Sequence, residues 1–241
     1  MFLKKVTLLP ERIQHHDQYP FSIPAIRNLD SITFKKPVTF FVGENGTGKS
    51  TLLEGIAANI GFNTAGGSRS NLYDVDKADA PLSDYLRLSW LPKISNGFFF
   101  RAETFYHFAT YIDEVDDDGY QSYGGKSLHQ QSHGESFLSL FSNRFYKKAI
   151  YLLDEPEAAL SPARQLTFLR VIHDLTKNRN VQLIIATHSP ILLGYPDAQI
   201  VSFDEDQLRE ITYEMTDHYL ITKYFLDNRG KMLDELLKEH D

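Results

Sequence analysis

The sequence predicts an α/β fold with a central, mostly parallel β-sheet. Three short apolar segments carry this prediction, because runs of this length and composition are typical of strands buried on both faces. The segments are Val38–Val42, Ile150–Leu153 and Leu183–Ala186. A helix-start signal follows each of them, and strands that alternate with helices favour a parallel sheet.

Local sequence signals predict where the helices begin. The first runs from Ser50 to Ile60, behind a glycine-rich turn. Two later helices begin with an N-cap serine and a first-turn proline, at Ser161 and at Ser189, and the former reaches about Thr176. The chain is expected to close with two strands and a mostly helical region: Gln199–Phe203, Arg209–Tyr213 and Asp217–Lys238.

About residues 62–146 are expected to form inserted lobes within a single domain of residues 1–241. The alternating segment Tyr85–Leu91 and the apolar segment Phe98–Arg101 flank a proline-containing turn, which predicts an antiparallel hairpin as the β lobe. The remaining elements predict a helical lobe: a helix over Thr104–Ile112, a loop over Asp113–Gln131 and an amphipathic helix from Ser136.

The composition of the 241 residues, with 42% hydrophobic and 24% charged residues, is ordinary for a soluble globular protein. The absence of cysteine excludes a disulfide scaffold and thiolate metal sites, and it fits a cytoplasmic location. No apolar stretch approaches the ~20 residues that span a bilayer, so we expect no direct membrane insertion. The net charge of -7 does not favour nucleic-acid binding, although a local basic patch remains possible.

The segment GENGTGKS, Gly43–Ser50, matches the phosphate-binding pattern G-x-x-x-x-G-K-[ST] between a strand and a helix. Lys49 is expected to reach the outer phosphates of a nucleotide, and the Ser50 hydroxyl to ligate Mg²⁺. The alternative is a glycine turn that only caps a helix. The residues predicted to bind the nucleotide are Gly43, Glu44, Asn45, Gly46, Thr47, Gly48, Lys49, Ser50 and Thr51.

An acidic pair ends the second predicted strand in AIYLLDEPEAAL, Ala149–Leu160. The carboxyl ends of parallel strands are where α/β sheets bind ligands. Asp154 is therefore predicted to hold Mg²⁺, directly or through water, and Glu155 to orient or deprotonate an attacking water. The alternative is a strand that ends in a solvated acidic turn.

Two further segments carry polar residues that suit a phosphate. In QSHGESFLSLF, Ser132 and Glu135 have the spacing of a capping box. Gly134 argues against a simple helix start, because glycine is a poor helix former and suits a position where another group approaches the backbone closely. In ATHSP, His188 follows the third predicted strand at the same sheet edge as the acidic pair. The alternative is a purely structural role for His188.

These four segments, in this order, resemble the ABC-type ATPases over about Val38 to Phe203, most closely the RecF, SMC and double-strand-break-repair branch, with small bacterial AAA/ABC ATPases and overcoming-lysogenization-defect proteins. The resemblance implies a P-loop NTPase fold, with an ABC ATPase head, an antiparallel β lobe and a helical signature lobe. It implies that His188 contacts the γ-phosphate. It also implies that Ser132, Gly134 and Glu135 belong to a signature loop that binds the ATP of a partner, with two ATPs sandwiched in a homodimer.

The chain departs from that family pattern at several positions. His133 replaces the usual glycine of the signature, and Leu160 to Pro162 lack the usual aspartate of the next loop. Glu103 is predicted to take the place of the family's metal-associated glutamine, with a structural ion pair to Arg101 as the alternative. No residue is securely assigned to adenine; the candidates Tyr19 and Phe21 also suit core packing.

The resemblance implies an ATP-hydrolysing, nucleotide-gated module in DNA maintenance or phage defence, beside a separate nuclease or other effector subunit. Two alternatives remain open. One is the nucleotide-binding subunit of a membrane transporter, and the other is an ATP sensor that does not hydrolyse its ligand.

Overall fold

The computed structural model describes residues 1–69, 81–115, 120, 125–143, 148–178 and 180–238. The strands are β1 (Leu3–Leu8), β2 (Ser31–Thr33), β3 (Val38–Val42), β4 (Leu86–Trp90), β5 (Gly97–Arg101), β6 (Ala149–Asp154), β7 (Val181–Ala186), β8 (Gln199–Ser202) and β9 (Arg209–Ile211). The helices are α1 (Pro24–Arg27), α2 (Lys49–Ile60), α3 (Phe105–Val115), α4 (His133–Asn143), α5 (Pro162–Asn178), α6 (Pro190–Leu193), α7 (Asp217–Asp227) and α8 (Arg229–Leu236).

The central sheet has six strands in the order β5-β6-β7-β3-β8-β9. All neighbouring strands pair in parallel except β8 and β9, which are antiparallel. Every residue of β3, β6 and β7 is buried, as expected for strands covered on both faces. The predicted α/β fold with a mostly parallel sheet is therefore confirmed.

The predicted hairpin is wrong, because its two strands join different sheets. β4 pairs with β1 in a separate antiparallel sheet of order β2-β1-β4, whereas β5 pairs in parallel with β6 at the edge of the central sheet. The burial of the two strands explains the difference. Gly97 to Phe100 are all buried, while β4 alternates between exposed residues and residues that are buried or only half-buried.

The predicted helices are confirmed with small changes at their ends. α4 begins at His133, three residues earlier than the apolar spacing indicated, because Ser132 precedes it as a cap. Only part of the predicted loop at Asp113–Gln131 is described; there, α3 extends to Val115, and Leu128–Gln130 form a 3-10 turn. Residues 116–119 and 121–124 lie outside the described part of the chain.

Hydrophobic side chains cover both faces of the central sheet. On one face, an aromatic cluster joins β5 to the helices: Phe100, Phe137, Phe141 and Phe168. On the other face, side chains from α2 and from the antiparallel sheet pack against β3: Phe41, Leu52, Ile56, Val6 and Leu86. Helix α2 is thus fixed between the two sheets.

Gln182 joins the two sheets through hydrogen bonds in the core. Its side-chain oxygen accepts from the amides of Phe2 and Leu3 at 2.8 and 2.9 Å, and its amide nitrogen donates to the Leu3 carbonyl at 2.9 Å. Gln182 is fully buried, so the three backbone groups depend on this one side chain rather than on water.

Replacement of Gln182 by Leu should lower the free energy of unfolding by roughly 3 kcal/mol, because buried polar groups without a partner cost about 1–3 kcal/mol each. Urea unfolding followed by circular dichroism measures the change. Gln207→Leu, at an exposed position, is the matched control and should stay close to the wild type. Equal losses in the two variants would contradict the role of Gln182.

Candidate functional site

The carboxyl ends of β3, β7 and β6 meet at one edge of the central sheet. In the register of these strands, Ala186 lies opposite Phe41 on one side and Asp154 on the other. The glycine-rich loop follows β3, the acidic pair ends β6, and His188 follows β7. Three of the four predicted segments therefore come together where open α/β sheets bind ligands.

The loop Gly43–Gly48 wraps around the ammonium group of Lys49. Lys49 is 4% exposed, and its Nζ donates to the carbonyls of Gly43 and Glu44 at 2.7 and 2.8 Å. Burial lowers the pKa of Lys49, while the carboxylates of Glu155, Asp204 and Asp154 oppose this shift. The loop therefore presents a cation and the start of α2 to the same small space, which suits an anion.

Gly48 shows why the turn needs glycine at this point. It precedes α2 with φ of 100°, in the left-handed region, where a residue with a Cβ is strained. An added Cβ would also lie 3.0 Å from Ile26 Cγ1. At the tip of the loop, Glu44, Asn45 and Gly46 are exposed.

Two further residues predicted to bind the nucleotide have hydrogen-bond partners of their own. The Thr47 hydroxyl donates to the Glu44 carbonyl at 2.9 Å. Thr51, in the first turn of α2, lies 3.2 Å from the Tyr19 hydroxyl. Tyr19 is exposed, whereas Phe21 is buried in the core, as the alternative for that residue predicts.

Asp204 supports the glycine-rich loop from the side and was not predicted. It follows β8, and its Oδ1 accepts the amide of Glu44 at 2.8 Å, while Ser202 donates to its Oδ2 at 3.0 Å. Since β8 is the neighbour of β3, this contact follows from strand order rather than from any local motif.

Ser50 and Asp154 are in direct contact. The Ser50 hydroxyl donates to Asp154 Oδ1 at 2.9 Å across 104 positions of sequence. Burial raises the pKa of Asp154 to about 6, although the hydrogen bond from Ser50 and the charge of Arg101 act in the opposite direction. A hydroxyl and a carboxylate side by side fit Mg²⁺, which prefers one or two protein oxygens together with phosphate and water. In the described ranges, no group of three or more histidines and carboxylates is placed to hold a metal ion by itself.

Arg101 lies beside this pair, at the end of β5. Its guanidinium contacts Glu54 at 2.6 Å, Glu103 at 3.4 Å and Asp154 at 3.8 Å. The alternative prediction for Glu103, an ion pair with Arg101, is confirmed. The Glu103 side chain is 80% exposed, and its assignment to the metal stays a prediction.

Glu155 has an unusual backbone conformation. Its φ of 49° and ψ of 51° lie in the left-handed region, and its amide donates to the Ala186 carbonyl at 3.0 Å. Non-glycine residues held in this region occur disproportionately at functional sites, since the local strain has to be stabilised by surrounding structure. The conformation places Glu155 Oε1 3.7 Å from His188 Nε2.

His188 is held by two residues that the sequence patterns did not reveal. Its amide donates to Glu157 Oε1 at 2.6 Å, and its ring Nδ1 lies 2.8 Å from Nε2 of His218, at the start of α7. Desolvation lowers the pKa of both rings, and the nearby charge of Lys49 acts in the same direction. Desolvation also raises the pKa of Glu157, which lies two residues beyond Glu155.

Ser132 and Glu135 pair at the start of α4, which forms one half of the capping box that was the alternative for this segment. Glu135 Oε2 accepts the amide of Ser132 at 3.0 Å and its hydroxyl at 2.6 Å. Gly134 is needed for close packing, since an added Cβ would lie 2.6 Å from Arg164 Cδ and 3.2 Å from the Ala159 carbonyl oxygen. The fourth predicted segment therefore has a structural role within this chain, and Ser132 and Glu135 are exposed.

Comparison with solved structures shows which fold this is. The chain resembles MJ1267, an ATP-binding cassette of an ABC transporter, with a TM-score of 0.52 and 14% sequence identity. The match covers 99% of this chain and 100% of that structure. The chain has the ABC-type P-loop ATPase fold. The SMC head domain from Thermotoga maritima also matches, with a TM-score of 0.46 and 18% identity over 88% of this chain and 99% of that structure.

Two models of AAA domains match the parts of this chain that carry the site. AAA_23, described as "AAA domain", matches residues 19–107. AAA_21, described as "AAA domain, putative AbiEii toxin, Type IV TA system", matches residues 128–194. The first covers the glycine-rich loop, and the second covers the capping box, the acidic pair and His188.

A curated relative matches over a shorter stretch. The chain is 38% identical over 88 residues to Protein ea59 of Escherichia phage lambda. This match covers 33% of this chain and 17% of that protein. The matched part is thus less than one fifth of the phage protein. Among the described helices, none combines the length and apolar character that a membrane crossing requires.

Glu135 gives a pH dependence of stability that can be measured. Hydrogen bonds from the side chain and amide of Ser132, and then from Arg164, lower the pKa of Glu135 from 4.5 to about 2. A carboxylate with a lowered folded-state pKa stabilises the fold above its unfolded-state pKa and loses this effect as the pH falls toward the folded-state value. Urea unfolding should therefore show the wild type more stable than Glu135→Gln at pH 6, with the difference shrinking between about pH 4.5 and 3.

The exposed Glu11 provides the matched change, Glu11→Gln, which should show no comparable pH dependence. A difference between the wild type and Glu135→Gln that stays constant from pH 6 to pH 3 would contradict the assigned hydrogen bonds.

Proposed function

We propose that this chain, as a single domain of residues 1–241, binds ATP with Mg²⁺ and hydrolyses it to ADP and phosphate. The observation that carries the proposal is the Ser50–Asp154 hydrogen bond of 2.9 Å beside the buried ammonium of Lys49. This contact brings a phosphate-binding loop and a magnesium-binding pair to one sheet edge, which is the arrangement that phosphoryl transfer needs.

The proposed binding roles follow from the groups at this edge. In the structure, the ammonium of Lys49 is hydrogen-bonded to two loop carbonyls, and it exchanges them for phosphate oxygens when ATP binds. The start of α2 adds positive potential for the same phosphates. Ser50 and Asp154 would hold Mg²⁺, which would supply charge neutralisation at the phosphate oxygens.

Glu155 and His188 are the proposed catalytic residues. Glu155 is partly exposed and accepts a proton from, or orients, the attacking water. Nε2 of His188 has no hydrogen-bond partner among the described residues, so donation from this atom to the terminal phosphate would break no existing hydrogen bond. The αL conformation of Glu155 and the support of His188 from Glu157 keep both groups in place.

We further propose that two chains associate around two ATP molecules. Ser132, Gly134 and Glu135 would then contact the ATP bound to the loop of the partner, as the family resemblance implies. Ser132 and Glu135 are exposed, which is a requirement for this role. Since ATP binds the closed pair better than the open one, ATP favours association and hydrolysis favours release.

The biological role proposed is a nucleotide-gated module in phage defence or DNA maintenance, located in the cytoplasm beside a separate effector or nuclease subunit. Two comparisons support this proposal: the AAA_21 description names a toxin of a type IV system, and ea59 is a phage protein. The net charge of -7 favours a partner protein over nucleic acid as the first contact of this chain.

Glu155→Gln should bind ATP normally and hydrolyse it about 10²–10⁴-fold more slowly, because the amide cannot accept the proton of the water. The trapped nucleotide should also increase the fraction of dimer. Phosphate release and sedimentation in ATP measure the two effects.

The control for this change is Glu205→Gln at a surface ion pair with Arg209, which should hydrolyse ATP at the wild-type rate. Wild-type turnover by Glu155→Gln would remove Glu155 from the mechanism. Identical dimer fractions in ATP, in ADP and without nucleotide would refute nucleotide-dependent association.

A mixing experiment tests the shared site. Ser132→Arg blocks the loop that meets a partner, and Lys49→Ala removes ATP binding, so each variant alone should be inactive. A mixed pair still has one intact composite site, so random association should restore about a quarter of wild-type activity. No recovery, although heterodimers are demonstrated by differently tagged chains, would argue that each chain uses only its own residues.

A further inference from the structure

His188 has one ring nitrogen turned toward the site and the other turned toward the C-terminal helices. Nε2 lies 3.7 Å from Glu155 Oε1, and it is buried with no hydrogen-bond partner in the described ranges. Nδ1 lies 2.8 Å from Nε2 of His218, with the two ring planes 14° apart. One residue outside the predicted motifs therefore contacts the proposed catalytic histidine directly.

His218 is held in place by contacts that lead back to the His188 loop. The buried Thr216 caps α7, because its hydroxyl accepts the Tyr219 amide at 3.4 Å and donates to the Tyr213 carbonyl at 2.8 Å. The Tyr213 hydroxyl in turn donates at 3.0 Å to the carbonyl of Pro190, two residues beyond His188. The two histidines are thus fixed to each other through backbone as well as through their rings.

The proton positions follow from the surroundings of the two rings. A neutral imidazole has one donor and one acceptor nitrogen, so only one of the two facing nitrogens carries a hydrogen. If Nδ1 of His188 donated to His218, its Nε2 would present a lone pair to the carboxylate of Glu155, which is repulsive. A donor at Nε2 is attractive toward both that carboxylate and a phosphate.

We propose that His218 is a positioning residue whose Nε2–H donates to Nδ1 of His188 and so holds the proton of His188 on Nε2, facing the terminal phosphate. The inference rests on the proposed ATP hydrolysis for its kinetic consequence. Its structural part, the tautomer of His188, stands independently of any activity. Charged groups near the two rings include Lys49, Glu155, Glu44 and Asp204.

The tautomer can be read directly by two-bond ¹H–¹⁵N correlation spectra of the histidine rings in the wild-type chain, without nucleotide, at pH 8. Signals of His188 are assigned by their loss in His188→Gln. We expect a protonated Nε2 and an unprotonated Nδ1 for His188. A protonated Nδ1 in the wild type overturns the proposal, whether or not the chain hydrolyses ATP.

The kinetic arm compares two substitutions of His218. His218→Phe keeps an aromatic ring without a donor, and should lower kcat by about two- to tenfold, the equivalent of one hydrogen bond, with little change in KM. His218→Gln keeps an amide donor and should recover most of this loss. His107→Phe, at an exposed histidine of α3, should retain wild-type turnover.

The outcomes separate the two proposals. Wild-type turnover by His218→Phe, in a variant with an unchanged melting temperature, overturns the positioning role while ATP hydrolysis stands. Absence of hydrolysis in the wild type overturns the proposed function, and the ring spectra still decide the tautomer. If His218→Phe fails to fold, the wild-type spectrum and the His218→Gln kinetics remain as tests, and a tenfold loss in His218→Gln contradicts the proposal.

Discussion

The hydrogen bond between Ser50 and Asp154 is the contact on which the arrangement of the site depends. It joins segments 104 positions apart, and it forms only because β7 lies between β3 and β6 in register. Asp154 is buried, and a buried carboxylate without a partner is costly. The Ser50 hydroxyl and the Arg101 guanidinium supply that partner, so the sheet edge remains stable with its charged groups facing the same space.

The features that could be predicted from the sequence are those whose signals are local. The continuous apolar runs predicted β3, β6 and β7, since only strands buried on both faces tolerate such composition. The serine-proline pairs predicted the starts of α5 and α6, because a cap and a first-turn proline act within a single turn. The glycine-rich loop required no long-range information either, and three of the four predicted segments meet at one edge because all of them follow or end parallel strands.

The features that could not be predicted depend on which strands become neighbours. A short turn between two strand patterns favours a hairpin, yet β4 and β5 join separate sheets, and β1, which pairs with β4, is far away in sequence. The same limit explains the missed site residues. Asp204 reaches the loop because β8 lies beside β3, and His218 reaches His188 because α7 packs against α6. A lone aspartate after a strand and a lone histidine near a helix start carry no pattern that distinguishes them from surface residues.

The capping box and the proposed phosphate contact compete for one proton. In the single chain, the Ser132 hydroxyl donates to Glu135 at 2.6 Å, and a serine hydroxyl has only one hydrogen to donate. Contact with a partner's phosphate through this hydroxyl therefore exchanges one charge-assisted hydrogen bond for another. After the exchange, Glu135 would keep its hydrogen bond from the Ser132 amide and its ion pair with Arg164, so the helix start would remain capped. In the proposed dimer, this hydroxyl would therefore contribute only the difference between two similar hydrogen bonds, which would favour reversible rather than permanent closure around ATP.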